Sequence, residues 1–373
     1  MNWQEFNDLC DDALENKESY LEVARCRVER WEHFDGCRYH LTPYWFERNS
    51  EPKGIPIDSR DWFNYGFDCN NELVYVKNRV AEECIERNDD RIINRVFLED
   101  RVDSIEVIEL KYGLPIEYTE CVVRNGINAG WDFKEYYRYT GNQLITIERE
   151  DRKPTDRTSY SLEYDKEGEL TKITKQDDDE TIFQGMSKDE VSLLRMTISD
   201  GLFMECEKVL HRLRESVGEN KLCFLAIGLH EEPERVIDPV FIAGMEYIRE
   251  EQLKNGEDLS ILWYSGEHPY EEELQDKDLK RKFSILMKYW QFHSNFSEDQ
   301  SYSTLQCHTW WKEGLTLWQE VAFRLNRCDW SKIIPISNNF VIFVDEQDFD
   351  PSTDLQSYVT QEQLALLRDK ELI

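Results

Sequence analysis

Between Asp61 and Lys175 apolar residues recur at every second position in short runs, and the runs are separated by Asn, Asp and Gly. A period of two places alternate side chains on opposite faces of a strand, so this stretch is committed to β structure. Three segments repeat one order: Tyr65–Val76, Tyr137–Ile147 and Leu162–Thr174. In each, an aromatic residue ends one strand, Asn, Asp or Gly takes the turn, and an apolar-alternating strand returns. Asn and Gly tolerate the positive φ that hairpin turns demand. Ser104–Leu110 and Leu114–Val123 read as further strands, with Gly113-Leu114-Pro115 as their turn. The pattern predicts a meander of antiparallel hairpins.

The flanks follow a different period. Trp3, Phe6, Cys10, Ala13 and Leu14 share one helical face, and Leu21, Ala24, Val28 and Trp31 continue the spacing, which predicts helix to about residue 33. Thr42 to Asp61 holds Pro43, Pro52, Pro56 and Gly54 and reads as an irregular connector. Gln176–Glu180 is a polar linker. Beyond it, Ser187-x-x-Glu190 forms a capping box that opens a helix containing Val191, Leu194, Ile198, Leu202, Val209 and Leu213. Leu222–Leu229, Ser260–Tyr264 and Phe340–Val344 read as strands, Asp278–Phe292 and Lys312–Arg327 as helices, and Thr360-x-x-Gln363 caps a last one. The expected class is α+β. It comprises an N-terminal helical segment and connector (1–60), an antiparallel β-meander (61–176) and a C-terminal mixed α/β domain (181–373).

Charge bounds the partners. The 373 residues carry 77 Asp+Glu against 45 Lys+Arg, a formal −32, and the longest acidic runs are only Asp177–Glu180 and Glu271–Glu273. Such a surface repels phosphate backbones and anionic lipid and attracts basic proteins, so neither nucleic acid nor membrane is an expected partner. No apolar run approaches the ~18–20 residues that span a bilayer. The N-terminus has neither a basic nor an apolar leader region, and the chain reads as cytoplasmic. Its ten cysteines form no CxxC pair and read as reduced thiols.

Signatures of chemistry are sparse. Cys26, His33, Cys37 and His40 form one group of metal-ligand types. Only Cys37 and His40 have knuckle spacing, so they read as thiols beside surface histidines and no metal is expected. There is no GxSxG, P-loop, GxGxxG, HExxH or EF-hand loop, and no cofactor is expected. Ser265-Gly266-Glu267-His268 reads as a turn. Asp345, Glu346, Asp348 and Asp350 read as a solvated loop. Adjacent rings at Trp45-Phe46, Trp62-Phe63 with Tyr65, and Trp310-Trp311 cannot all face one core. Trp62, Phe63, Tyr65, Trp310 and Trp311 are therefore candidate binding anchors.

Three resemblances add to this reading. Glu109-Leu110-Lys111, ending an apolar strand, resembles the ExK half of the PD-(D/E)xK nucleases. That likeness implies a Mg²⁺-holding Glu109, a Lys111 near the attacked phosphate, and Asp100 or Asp103 as upstream carboxylate. The alternative function is thus a metal-dependent phosphodiesterase using Asp103, Glu109 and Lys111. Tyr164, Asp165, Gly168, Leu170, Thr171 and Thr174 resemble the YD (Rhs) repeat, and Phe67, Asp68 and Leu73 keep part of it with Asn71 at the Gly position. This implies strand–turn–strand geometry. Leu325–Trp330, Ile334–Phe343 and Leu364–Ile373 are similar to the tail of uncharacterised bacterial families, some of which sit beside polymorphic toxins as immunity-type proteins. The leading expectation is a non-enzymatic binding protein of the immunity (antitoxin-like) kind, neutralising a basic partner such as a toxin domain.

Overall fold

The computed structural model describes residues 3–99, 101–124, 127–152, 157–229, 233–294, 309–346 and 349–373. The chain divides into two compact units, one running to Gly185 and the other beginning at Met186. It is a mixed α+β protein with one large antiparallel sheet.

The first unit opens with α1 (Trp3–Glu15) and α2 (Lys17–Arg27). A twelve-stranded sheet follows, whose spatial order is its sequence order. Its strands are β1 (Arg30–Phe34), β2 (Phe63–Phe67), β3 (Leu73–Lys77), β4 (Ala81–Arg87), β5 (Arg91–Leu98), β6 (Arg101–Lys111), β7 (Leu114–Arg124), β8 (Ile127–Thr140), β9 (Gln143–Asp151), β10 (Arg157–Tyr164), β11 (Leu170–Lys175) and β12 (Glu180–Gln184). The N-terminal helix ends earlier than its apolar spacing predicts. Val28 turns extended at ψ 119°, and Trp31 and His33 lie in β1 opposite Gly66 and Asn64. Gly66 makes room for this exit, since a Cβ there would come within 2.5 Å of the Val28 side chain.

Both faces of the sheet are covered. On one, Phe6, Cys10, Ala13, Leu21 and Ala24 of the helices pack against Val74, Cys84, Phe97, Ile105, Val107 and Cys121. On the other, Phe34, Tyr65, Ile85, Ile108, Tyr118, Tyr137 and Ile173 form a second core. The Pro-rich connector, with α3 (Trp45–Asn49) inside it, crosses this second face. Arg48 of α3 pairs with Glu135 of β8, the Arg38 N–H donates to the Tyr65 hydroxyl at 2.9 Å, and Tyr164 Oη donates to Tyr44 Oη at 3.2 Å.

The hairpin turns use the predicted residues. Asn71, Gly141 and Gly168 sit at φ 63°, 60° and 90°. The two YD-like turns are equivalent bond for bond. Asp68 Oδ1 accepts the N–H groups of Asn70 and Glu72, both at 3.0 Å. Asp165 Oδ1 accepts those of Glu167 and Glu169 at 3.0 and 2.8 Å. Each is preceded by a register shift, at Gly66/Phe67 and at Glu163/Tyr164. The β6–β7 turn is displaced from its expected place: Tyr112 and Gly113 take it at φ 55° and 77°, and Leu114 and Pro115 already pair with Lys111 and Leu110.

The second unit holds a four-stranded sheet in the order β15 (Glu271–Glu273), β14 (Val240–Met245), β13 (Leu222–Gly228) and β16 (Ile336–Asp345). β13 runs antiparallel to β14 and parallel to β16 and is buried at every position, as a central strand covered on both faces must be. Its helices are α4 (Lys188–Val217), α5 (Glu246–Asn255), α6 (Leu259–Leu262), α7 (Lys277–Phe292), α8 (Thr309–Leu325), α9 (Pro351–Asp354) and α10 (Gln361–Asp369). The capping boxes of α4 and α10 form as the sequence predicts. Ser260–Tyr264 is not a strand. It is α6 and its exit, because Asp258 initiates a helical turn at Ile261 and Leu262 and Trp263 drops into the core. Among the described residues no helix is long and apolar enough to cross a membrane.

Candidate functional site

The connector-covered face of the first sheet buries more charge than its packing needs. Glu83 on β4, Asn94 on β5, Glu106 on β6 and Glu120 on β7 form a row across four adjacent strands, with Asn94 opposite Glu106 and Glu106 opposite Glu120. Asn94 Nδ2 donates to Glu83 Oε2 at 2.9 Å and to Glu106 Oε2 at 3.1 Å. Burial, then the charge of Glu83, pushes the Glu106 carboxyl up to about 8. Burial, then Asp132, pushes Glu120 up to about 7, and burial raises Glu83 as well. Clusters of perturbed carboxyls mark functional sites more often than ordinary surfaces do.

One strand further, the same face treats a carboxylate differently. Arg48 Nη1 and Nη2 reach Glu135 Oε1 and Oε2 at 2.5 and 3.0 Å, a bidentate pair with both side chains buried, and Tyr137 Oη adds a donor to Glu135 at 2.8 Å. The row therefore holds protons where no cation reaches it, and holds charge where Arg48 does. Three acids and an amide on one dry face could pass a proton along the row. Among the described residues, however, no group of three or more His, Cys, Asp or Glu is arranged to hold a metal ion.

The opposite side of this unit carries a charged ridge. Asp8, Asp11, Glu15, Glu18 and Glu22 are exposed at alternating three- and four-residue spacing along α1 and α2, which aligns them over roughly 20 Å. None of them makes an ion pair with another described residue. The cations of α2 turn toward the sheet: Lys17 donates to the Glu99 carbonyl, Arg25 pairs with Glu82 and Arg27 with Asp68 at 3.1 Å. By contrast, a surface groove of about 680 Å³ on β8–β10 is lined by Arg138, Arg149 and Arg157 beside Glu148 and Glu150. Its charges largely cancel through Arg138–Glu148 at 2.7 Å and Arg157–Glu150 at 3.6 Å.

The aromatic anchors separate. Tyr65, Trp310 and Trp311 are core residues, at 1%, 8% and 0% exposure; adjacent Trp310 and Trp311 both bury because α8 packs on more than one side. Phe63 lies half-buried against Tyr65 with ring centroids 6.2 Å apart. Trp62 remains partly exposed under the Arg79 guanidinium, 3.5 Å from its ring centroid. Trp45 stacks on His40 and Phe46 is buried.

The ExK set does not converge. Asp103 and Glu109 are six residues apart on β6, about 20 Å along a strand, too far to share one ion. Glu109 pairs with Arg91 at 2.8 Å, and Arg91 also pairs with Glu5 of α1, so Glu109 fastens a helix to the sheet. Lys111 is exposed beside the Tyr112 ring, and Asp100 lies outside the described residues.

Cys26, His33, Cys37 and His40 are dispersed as well. Cys26 is exposed on α2, His33 bonds Asn64 at 2.7 Å, and Cys37 meets the Tyr65 hydroxyl at 3.7 Å. His40 is not a surface histidine: burial, then Arg48, pushes its pKa down to about 3. Asp345 accepts from Ser265 Oγ, Asp350 caps α9, and Asp348 lies outside the described residues. The carboxylate row was not anticipated from sequence.

No family model matches the chain, and no curated protein matches it. Among solved structures it is similar to a TarM variant from S. aureus in complex with fondaparinux, alpha-GlcNAc-glycerol and UDP, at 12% identity and a TM-score of 0.15, over 53% of this chain and 34% of that one. A second TarM structure is similar at 12% identity and a TM-score of 0.13, over 49% and 28%. The chain thus matches about a third of the length of those structures, and at these scores the likeness carries no argument about fold or function.

Proposed function

We propose that this protein is a non-enzymatic binder of a basic protein partner, acting as an immunity-type neutraliser of a cationic toxin domain. The observation that supports this reading is the unpaired acidic ridge of α1 and α2. Five carboxylates without counter-ions, on a chain of net charge −32, form a field that steers a cationic surface into contact and is released by salt. Half-buried Trp62 and Phe63 are the remaining candidates for apolar anchors.

The test is capture from extract of the native host at low salt, followed by a salt gradient. The wild-type chain is expected to retain a protein of basic isoelectric point and release it as salt rises. The triple reversal Asp11→Lys, Glu15→Lys and Glu18→Lys should lose that capture at unchanged circular dichroism. Capture that ignores salt, or survives the reversal, removes the proposal.

A further inference from the structure

We propose that the second unit carries a binding site for a small monocarboxylate, held between Nη1 of Arg249 and the Nε2–H of His268 beneath the turn 263–268. The site is independent of the acidic ridge. Its starting point is two buried donors that nothing in the protein satisfies. Arg249 of α5 is 1% exposed, and His268, which follows the 265–267 turn, is 9% exposed. Arg249 Nη2 donates to Glu246 Oε2 at 2.6 Å, while Nη1 has no partner. His268 Nδ1 accepts the Met245 N–H at 3.0 Å, while Nε2 has none. Orphaned polar atoms at this depth are rare and call for an occupant.

The tautomer follows from the bonding. With Nδ1 acting as acceptor, a neutral ring carries its proton on Nε2. Burial, then Arg249, depresses the His268 pKa to about 4, so the ring stays neutral through the physiological range. Nε2–H and the always-protonated guanidinium are both donors, and what they lack is an acceptor.

The surroundings decide which acceptor fits. Arg249 Cζ lies 5.5 Å from the Trp263 ring, and Phe224 bridges Trp263 and His268 at centroid distances of 5.8 and 4.9 Å. The two donors thus share an aromatic floor that offers no strong hydrogen-bond acceptor to a water's own protons. The polar groups around it are Glu246 on α5, Ser265 and Asp345, which bond each other, and Cys223 on β13, whose thiol burial pushes up to about 12. One cation, already shared with Glu246, balances at most a single negative charge, so a dianionic phosphate would be left uncompensated. A carboxylate places one oxygen on each donor through charge-assisted bonds. Tyr264, 54% exposed, covers the turn by lying against Gly266, where a Cβ would come within 2.7 Å of its ring.

Titration calorimetry of the full chain with sodium acetate, at constant ionic strength against chloride, tests the assignment. Saturable one-to-one binding is expected, unchanged between pH 6 and 8 and weaker by about tenfold or more in Arg249→Met and in His268→Phe. Phosphate binding tighter than acetate, or variants that remain folded and bind acetate undiminished, would overturn it. If both variants unfold, the wild-type chain still decides. In proton–nitrogen spectra of histidine-labelled protein, a slowly exchanging Nε2–H resonance should move saturably with acetate, and a resonance that does not respond sinks the proposal.

Discussion

Glu106 and Glu135 meet burial on one sheet face in opposite ways. Glu135 has a guanidinium within 3.0 Å at each oxygen. Glu106 has an amide and other carboxyls, so it keeps its proton. Arg48→Met would leave Glu135 charged and unpaired, and urea unfolding should show a loss of about 3–5 kcal/mol at neutral pH. The Glu106 carboxyl, raised from 4.5 to about 8, gives the opposite kind of dependence. Below about pH 4.5 both folded and unfolded chains hold the proton. Between 4.5 and 8 only the folded one does, so stability falls as pH rises, by about 1.4 kcal/mol per pH unit for each proton so held. Glu106→Gln should flatten that decline and leave the variant about 3 kcal/mol more stable than wild type at pH 9. Equal slopes for the two proteins would show that Glu106 is ionised when folded. None of this was legible in the sequence. Glu83, Glu106 and Glu120 alternate with apolar residues, which is the pattern of an outward-facing position. The Pro-rich connector, 26 or more residues upstream of each, turns that face inward.

Among the elements, the hairpins were the most readable because positive φ restricts residue type so strongly. Asn71, Gly141 and Gly168 announce their turns, and the turn Asp at 68 and 165 adds a bond pattern that a one-line motif carries. Gly168→Ala, at φ 90°, should cost about 1 kcal/mol, whereas Asn71→Gly, at φ 63°, should be near neutral. Thermal melts of the two variants check the contrast. Asp165→Ala removes the acceptor of two N–H groups and should lose about 1–2 kcal/mol. β4 and β5 escaped the sequence reading because Glu82-Glu83 and Asn94-Arg95 interrupt their apolar alternation. The reverse error occurred at Trp31, whose helical spacing from Val28 is accidental once Gly66 draws Val28 onto the sheet. Ser260–Tyr264 misled for a similar reason: four residues are too few for periodicity to separate a helical turn from a strand.

At the scale of the molecule, charge is the property the sequence stated outright, and the structure adds its direction. The α2 cations all bend to the sheet, so the ridge keeps its carboxylates bare. For a cationic partner, association should slow steeply as salt rises, and the Asp11, Glu15 and Glu18 reversal should shrink that slope more than it changes dissociation. Stopped-flow mixing across a salt series separates the two. The serial order of β1 to β12 has a further consequence, for synthesis. Each strand pairs with its predecessor as it leaves the ribosome, so the sheet can grow without waiting for distant sequence. At every moment before β12 arrives the newest strand is an open edge, able to pair with a neighbouring nascent chain. On a polysome those neighbours are copies of the same strongly acidic polypeptide, and their mutual repulsion keeps the unfinished edges apart until the sheet is complete.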